Sequence, residues 1–407
     1  MITHWTQSTD AGVTAPEGFV ASGVRCGLKM EGLDLALIVC DGEAPVAGVF
    51  TTNLVQASCV RYSKRVVEGG LARAILCNAG NANACNGEQG DRDTIAMAEM
   101  TGRLLGIAPT HTLIASTGVI GWRMPMDRLE HGIPLAVDAL DRNGETDLSV
   151  ARAMMTTDLR PKTLAATCRS DHWRGPVVIG GVCKGSGMIA PNMATMLCFL
   201  TTDAALPAPL LGHALGRAVH RTFNRVTVDG DTSTNDMALL IAGGSGEVDI
   251  TDPGPAFEDF VEALTRVCAY LAREIARDGE GATKLVEVTV QGAPDEAGAD
   301  RAARTIAQSP LVKTALFGSD PNWGRILAAA GRAGVKFDPS LARVLIGDHR
   351  VYADGTAIPF DRDEAHDYLT EPEVRIVVDL AAGAGRATVW TCDFSYDYVR
   401  INAEYHT

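Results

Sequence analysis

Two hydrophobic periods alternate along this chain, and that alternation limits the folds open to it more than any other feature. Short apolar runs stand at Leu33–Cys40, Val46–Phe50, Arg73–Cys77, Thr112–Ala115, Pro176–Val182, Thr195–Leu200 and Met237–Ala242, most of them bounded by Gly, Asn, Asp or Pro. Later come Val286–Val290 with strict alternation, Val344–Ile346, Val374–Asp379 and Ala387–Thr391. Runs of this kind read as strands. Between them the period changes. Phe257, Phe260, Val261, Leu264, Val267, Cys268, Leu271 and Ile275 form one helical stripe that stops at Asp278-Gly279, a good C-terminal signal. Asp91–Leu105, Met126–Leu140, Ala208–Thr222 and Ala297–Ala307 read as further helices. The expectation is a mixed α/β chain whose sheets are covered by helices. The 407 residues suggest two domains or one large intertwined unit.

Composition removes several function classes. Hydrophobic residues are 46% and charged residues 21%, so a packed core rather than disorder is expected. The formal net charge is −14, which argues against coating nucleic acid or an anionic membrane. No apolar run approaches the ~18 residues of a membrane helix. Met1-Ile2-Thr3-His4-Trp5 has neither a basic nor an apolar targeting region, so a cytoplasmic protein is expected. The ten cysteines stand singly, with no CxxC pair, and the nine histidines are scattered. Buried free thiols in a reducing compartment are expected, and no metal.

Four segments could carry chemistry. Lys184–Leu197 is a glycine-rich turn, a proline break and a Thr that opens an apolar strand; it lacks the Gly-Lys-Ser/Thr end of a nucleotide loop. On its residues alone it also reads as a plain loop entering a core strand. Asn78–Gly87 holds four asparagines in ten residues, which suits a hydrogen-bonded loop. Ser116–Gly121 is a hydroxyl-and-glycine turn after a strand, able to aim backbone N–H groups at an anion or to be an ordinary turn. Asp229–Asp236 looks like a calcium loop, but Leu240 stands where the final Glu is needed.

Taken together, the wording of these segments resembles the ornithine acetyltransferase family, the glutamate N-acetyltransferases of arginine biosynthesis. The matching stretches are Asn78–Gly90, Ser116–Gly121, Met155–Asp158, Lys184–Leu197, Asn224–Asp236, Asp320–Arg325 and Asn402–Thr407. They span nearly the whole chain, and Ala194-Thr195-Met196-Leu197 is the most specific of them.

The resemblance implies an α-β-β-α-like sandwich in two parts, related to self-processing aminopeptidases. It implies self-cleavage between Ala194 and Thr195 into an α chain, 1–194, and a β chain, 195–407, which stay associated, usually as α2β2. Cleavage would give Thr195 a free α-amine, whose reference pKa of ~7.7–8.0 lets it serve as base for its own hydroxyl. The reaction implied is ping-pong transfer of acetyl from N-acetylornithine to glutamate through an acetyl ester on Thr195. Thr117 and Gly118 would form the oxyanion hole. Thr156, Lys184, Glu280, Asn402 and Thr407 would contact substrate, besides Thr195. No metal or nucleotide cofactor is implied, though acetyl-CoA serves some members as a donor to glutamate. A self-processing amidohydrolase or aminopeptidase on the related fold is the competing expectation. One departure stands out: where the family continues Thr-x-Pro-Lys after its Thr-Thr-Asp, this chain reads Leu159-Arg160-Pro161-Lys162, and the stretch onward to Lys184 is longer.

Overall fold

The computed structural model describes residues 1–190 and 196–404. Its larger sheet runs, in spatial order, through Ile2–Ser8, Lys162–Ser170, Val177–Lys184, Leu197–Thr202, Met237–Ala242, Leu35–Phe50, Leu71–Asn81 and Thr112–Val119, with Phe19–Val24 also pairing on Leu35–Phe50. The sequence suggested two strands at 33–40 and 46–50. They are the two ends of one 16-residue strand. Its register against Leu71–Asn81 slips between Val39 and Ala44, and such an irregularity bends a strand. The first end pairs with Phe19–Val24 and Leu71–Asn81. The second pairs with Met237–Ala242, Val46 opposite Ile241. One strand thus serves both halves of the sheet.

The apolar runs are continuous because the central strands are buried on both faces. Phe199, Leu239 and Ile241 pack with Leu37, Ile75 and Leu76 from the other half. Their neighbours Cys198, Leu200 and Leu240 pack with Leu211 and Leu215 of the helix Ala208–Arg221 and with Leu264 and Leu271 of the helix Pro255–Arg277. Every member of the expected 257–275 stripe is buried, and Pro255 opens that helix where its missing N–H costs nothing. The helices Ser58–Glu68, Gly87–Leu105 and Met126–Asp138 cover the opposite half through Val60, Met97, Leu129 and Ile133. The helix Gly144–Met154 touches strands of both halves. Helices, sheet, sheet and helices follow one another, the layering the family resemblance implied.

A second sheet follows the order Thr356–Ala357, His349–Ala353, Arg343–Ile346, Glu373–Asp379, Leu285–Ala293 and Gly385–Cys392. Val286, Val288 and Val290 point into its core with Ala299, Ala303 and Ile306 of the helix Glu296–Ala307, as their alternation required. Asp278–Lys284 joins the two units, and Thr227 N–H bonds Trp390 O at 2.9 Å between them. Leu197–Thr202 lies within the larger sheet, between Val177–Lys184 and Met237–Ala242.

Among the described residues no helix is long and apolar enough to cross a membrane. All ten cysteines are free thiols, most of them buried.

Candidate active site

Residues distant from one another in the sequence meet in one cavity of about 160 Å3. Thr117 and Gly118, Thr156, Lys184, Glu280 and Asn402 all line it. Ala194, Thr195 and Thr407 lie outside the described residues.

Thr117 and Gly118 end the strand Thr112–Val119, parallel to Leu71–Asn81 with Gly118 opposite Gly80. Gly118 has φ +128°, and a Cβ there would stand 2.4 Å from the Gly80 carbonyl carbon. Backbone passes so close to backbone that only glycine fits. The asparagine-rich loop holds this end in place. Asn78 Oδ1 accepts from Ser116 Oγ at 2.7 Å, and Asn81 Nδ2 donates to the carbonyls of Trp122 and Arg123. Asn83 Nδ2 donates to Gly90 O at 2.9 Å. These amides are scaffold, and of the loop they form, Ala82 reaches the cavity.

Lys184 ends the strand Val177–Lys184 and is buried. Its Nζ donates to Thr156 Oγ1 at 2.9 Å and to Thr117 Oγ1 at 3.3 Å. Because Thr117 accepts from the ammonium, its hydroxyl hydrogen stays available to an oxygen in the cavity. Behind Lys184 lies a charge network that the sequence reading did not assign. Asp158 Oδ2 stands 4.0 Å from Lys184 Nζ, while Oδ1 accepts from Lys162 Nζ at 2.8 Å and from Gly185 N–H at 2.7 Å. Lys162 Nζ also bonds Asp278 Oδ2 at 2.5 Å. Burial opposes a charge on Asp158, but Lys162 and Lys184 overcome it and hold the carboxyl well below the usual range. Burial likewise opposes the Lys162 charge, and Asp158 and Asp278 outweigh it, raising its pKa. Two ammoniums and two carboxylates thus share one buried site. The Thr-Thr-Asp and Pro-Lys wording was the signal available for this network.

Leu159, the departure from the family pattern, is 77% exposed and does not line the cavity. Its backbone N–H, with that of Arg160, donates to Asp278 Oδ2. The substitution changes the surface beside the network and leaves the network's bonds in place.

Glu280 follows the helix Pro255–Arg277. Its N–H bonds Ser186 O at 3.0 Å, and its Oε2 accepts from Asn402 Nδ2 at 2.8 Å. Asn402 sits on the helix Tyr396–Glu404, which therefore reaches back to the cavity. A Cβ on Gly187 would stand 2.3 Å from the Glu280 carboxylate, so the turn after Lys184 needs glycine to pass it.

The calcium-like loop works differently from its appearance. Asp229 accepts the N–H groups of Met188 at 2.6 Å and Ile189 at 2.9 Å. Asp236 Oδ1 accepts the N–H of Met196 at 3.1 Å. Burial pushes the Asp229 carboxyl up to about 6, against the pull of those N–H groups. Asn235 Nδ2 donates to Ala82 O at 2.7 Å and Ser116 O at 2.8 Å, tying this loop to the Thr117 turn. Among the described residues no cluster of His, Cys, Asp or Glu could hold a metal ion.

The profile of the ArgJ family matches residues 20–407. A Synechococcus protein named arginine biosynthesis bifunctional protein ArgJ is 50% identical over 98% of this chain and 99% of its own. A Symbiobacterium thermophilum protein of the same name is 49% identical over 97% and 98%. The crystal structure of arginine biosynthesis bifunctional protein ArgJ from Bacillus halodurans is 45% identical, with a TM-score of 0.50; the match covers 51% of this chain and 98% of that one. A profile match over residues 20–407, with relatives about 50% identical over 97–98% of the chain, makes this chain a member of the ArgJ family.

Proposed function

We propose that this chain moves the acetyl group of N2-acetylornithine to glutamate by a ping-pong reaction in arginine biosynthesis, after cleaving itself between Ala194 and Thr195. The observation that carries the reading is the convergence of Thr117, Gly118, Thr156, Lys184, Glu280 and Asn402 on one cavity, in a chain about 50% identical to bifunctional ArgJ proteins.

The Thr195 hydroxyl attacks the Ala194 carbonyl, and water opens the resulting ester. The freed α-amine then takes the hydroxyl proton as Thr195 attacks the acetyl carbonyl. The tetrahedral oxyanion accepts from the Thr117 hydroxyl and the Gly118 N–H; one such donor lowers a barrier by ~3–4 kcal/mol. Ornithine leaves with the proton. The α-amine of glutamate attacks the acetyl ester in the second half and releases Thr195. Glu280 suits the ornithine ammonium and Lys184 the substrate carboxylate, while Thr156 and Thr407 complete the contacts.

Residues 1–194 and 195–407 remain together because the break falls between two strands hydrogen-bonded side by side, Val177–Lys184 and Leu197–Thr202. The half-length of the matched Bacillus halodurans chain agrees with a family whose chains are divided. The assembly is α2β2 and cytoplasmic, and acetyl-CoA serves as a second donor to glutamate.

The test is to incubate the protein with acetyl-labelled N-acetylornithine, with and without glutamate. Acetylglutamate formed only with glutamate, and a label trapped on Thr195 without it, are expected. Free acetate released at the same rate with or without glutamate would assign the site to a hydrolase instead.

A further inference from the structure

Met188 stands where glycine would fit at less cost. Its φ is +57°, and that left-handed backbone is disfavoured for a residue with a Cβ but open to glycine. Six described residues other than glycine adopt it, and Met188 is the one among them that lines the cavity. Two hydrogen bonds hold the turn: Asp229 Oδ2 accepts from the Met188 N–H at 2.6 Å, and Asp229 Oδ1 from the Ile189 N–H at 2.9 Å. Backbone held in this way persists only where its surroundings over-determine it, and such positions gather at functional sites. Met188 is 38% exposed, so filling the core does not account for its size.

The chemistry of the cavity wall does account for it. Most of the described lining is polar, with Lys184 bonded to Thr117 and Thr156 in one cluster and Glu280 bonded to Asn402 in another. Among the described lining residues, Ile120 and Met188 bring the large apolar side chains. Gly187 is the point where the chain passes the Glu280 carboxylate, and Met188 follows it directly. N-acetylornithine has the matching pattern, polar groups at both ends of a run of three methylenes. Methylenes leaving water need an apolar wall. An unbranched, polarizable thioether chain can lie along a straight hydrocarbon run and adapt to it.

We propose that Met188 sets the length of the diamino acid this site accepts: its side chain covers the methylenes of the donor beside Glu280 and leaves no room for a fourth. The inference rests on the acetyl-transfer reading above and names the residue that gives that reaction its choice of donor. Lys184 and Glu280 recognise charges that ornithine and its longer homologue share, so they cannot separate the two. Only a group that meets the hydrocarbon run can do so. The left-handed turn held by Asp229 keeps that group at a place where a smaller residue would relieve the backbone and open the wall.

The test compares two donors, N2-acetylornithine and N2-acetyllysine, which differ by one methylene, with glutamate as acceptor. The ratio of their kcat/KM values within one preparation does not depend on how much of the protein is folded, so a merely structural role would not move it. Wild type should prefer N2-acetylornithine by about 10–200-fold, the range one methylene commands in an apolar pocket. In Met188→Gly that preference should fall at least about fivefold. Met188→Asn is also shorter and also tolerates a left-handed backbone; its preference should fall in the same way, and it decides the matter if the glycine variant does not fold. A wild-type protein without the preference, or a wild-type preference in either variant, overturns the inference. A wild-type protein that forms no acetylglutamate from N2-acetylornithine would instead remove the acetyl-transfer reading itself.

Discussion

Asn402 donates from Nδ2 to Glu280 Oε2 at 2.8 Å, so the helix Tyr396–Glu404 closes on the joint between the two units. Through Asn402 this helix is held by a carboxylate of the cavity. Truncating Asn402→Ala removes a hydrogen bond to a charged acceptor, of ~1.5–3 kcal/mol. The expected outcome is a KM for N-acetylornithine raised about tenfold, with self-cleavage unchanged. Steady-state kinetics beside a denaturing gel measure both. An unaltered KM would free Glu280 from dependence on the terminal helix.

Lys184→Met removes the cation that joins Thr156 and Thr117 while Lys162 still neutralises Asp158. Acetyl transfer should fall at least about a hundredfold, with the fold retained. Thr156→Val, which leaves the ammonium in place, should cost about tenfold or less. Equal losses in the two variants would show that the ammonium acts only through Thr156.

Lys162 is a stability residue by the same geometry. Replacing it by Met leaves Asp158 with Lys184, at 4.0 Å, as its remaining ammonium and takes from Asp278 the ammonium that pairs with it. Breaking a buried pair this way costs about 3–5 kcal/mol, readable as a lower midpoint in urea. Arg92→Ala, which breaks an exposed pair with Glu88, should change the midpoint little. A Lys162→Met protein as stable as wild type would mean that water or a shift of the loop replaces the ammonium.

The pH response of Asp229 has a definite sign. Burial raises its folded pKa to about 6, above the ~3.9 of an unfolded Asp. Its contribution to stability is therefore fully present below about pH 4 and is lost as pH rises through about 6. Asp229→Asn does not titrate, so its Tm relative to wild type should rise between about pH 4 and about pH 7. A Tm difference that stays constant over that window would place the carboxyl at its ordinary value.

Periodicity made much of this architecture readable. The 257–275 stripe and the 286–290 alternation are local consequences of facing one core, and both appear where the spacing put them. The strand Phe19–Val24 and the helix Ser58–Glu68 escaped notice, because Ser and Gly dilute the first and polar residues interrupt the second. Pairing across 35–50 was hidden as well: Glu43-Ala44-Pro45 separates the two apolar runs in the sequence, yet the strand runs through it. The site was legible through wording rather than period. No spacing rule brings Thr117, Thr156 and Glu280 together, since sheet topology does that. Asp158 and Asp236 were in view within quoted motifs, but an Asp in a loop reads as a cap or a turn until its burial is known.

The most direct measurement is the intact mass of the active protein, with sequencing of every amino terminus in it. Two chains are predicted, one beginning at Thr195, in a preparation that transfers acetyl from N-acetylornithine to glutamate. A single unbroken chain that carries full transfer activity would contradict the account.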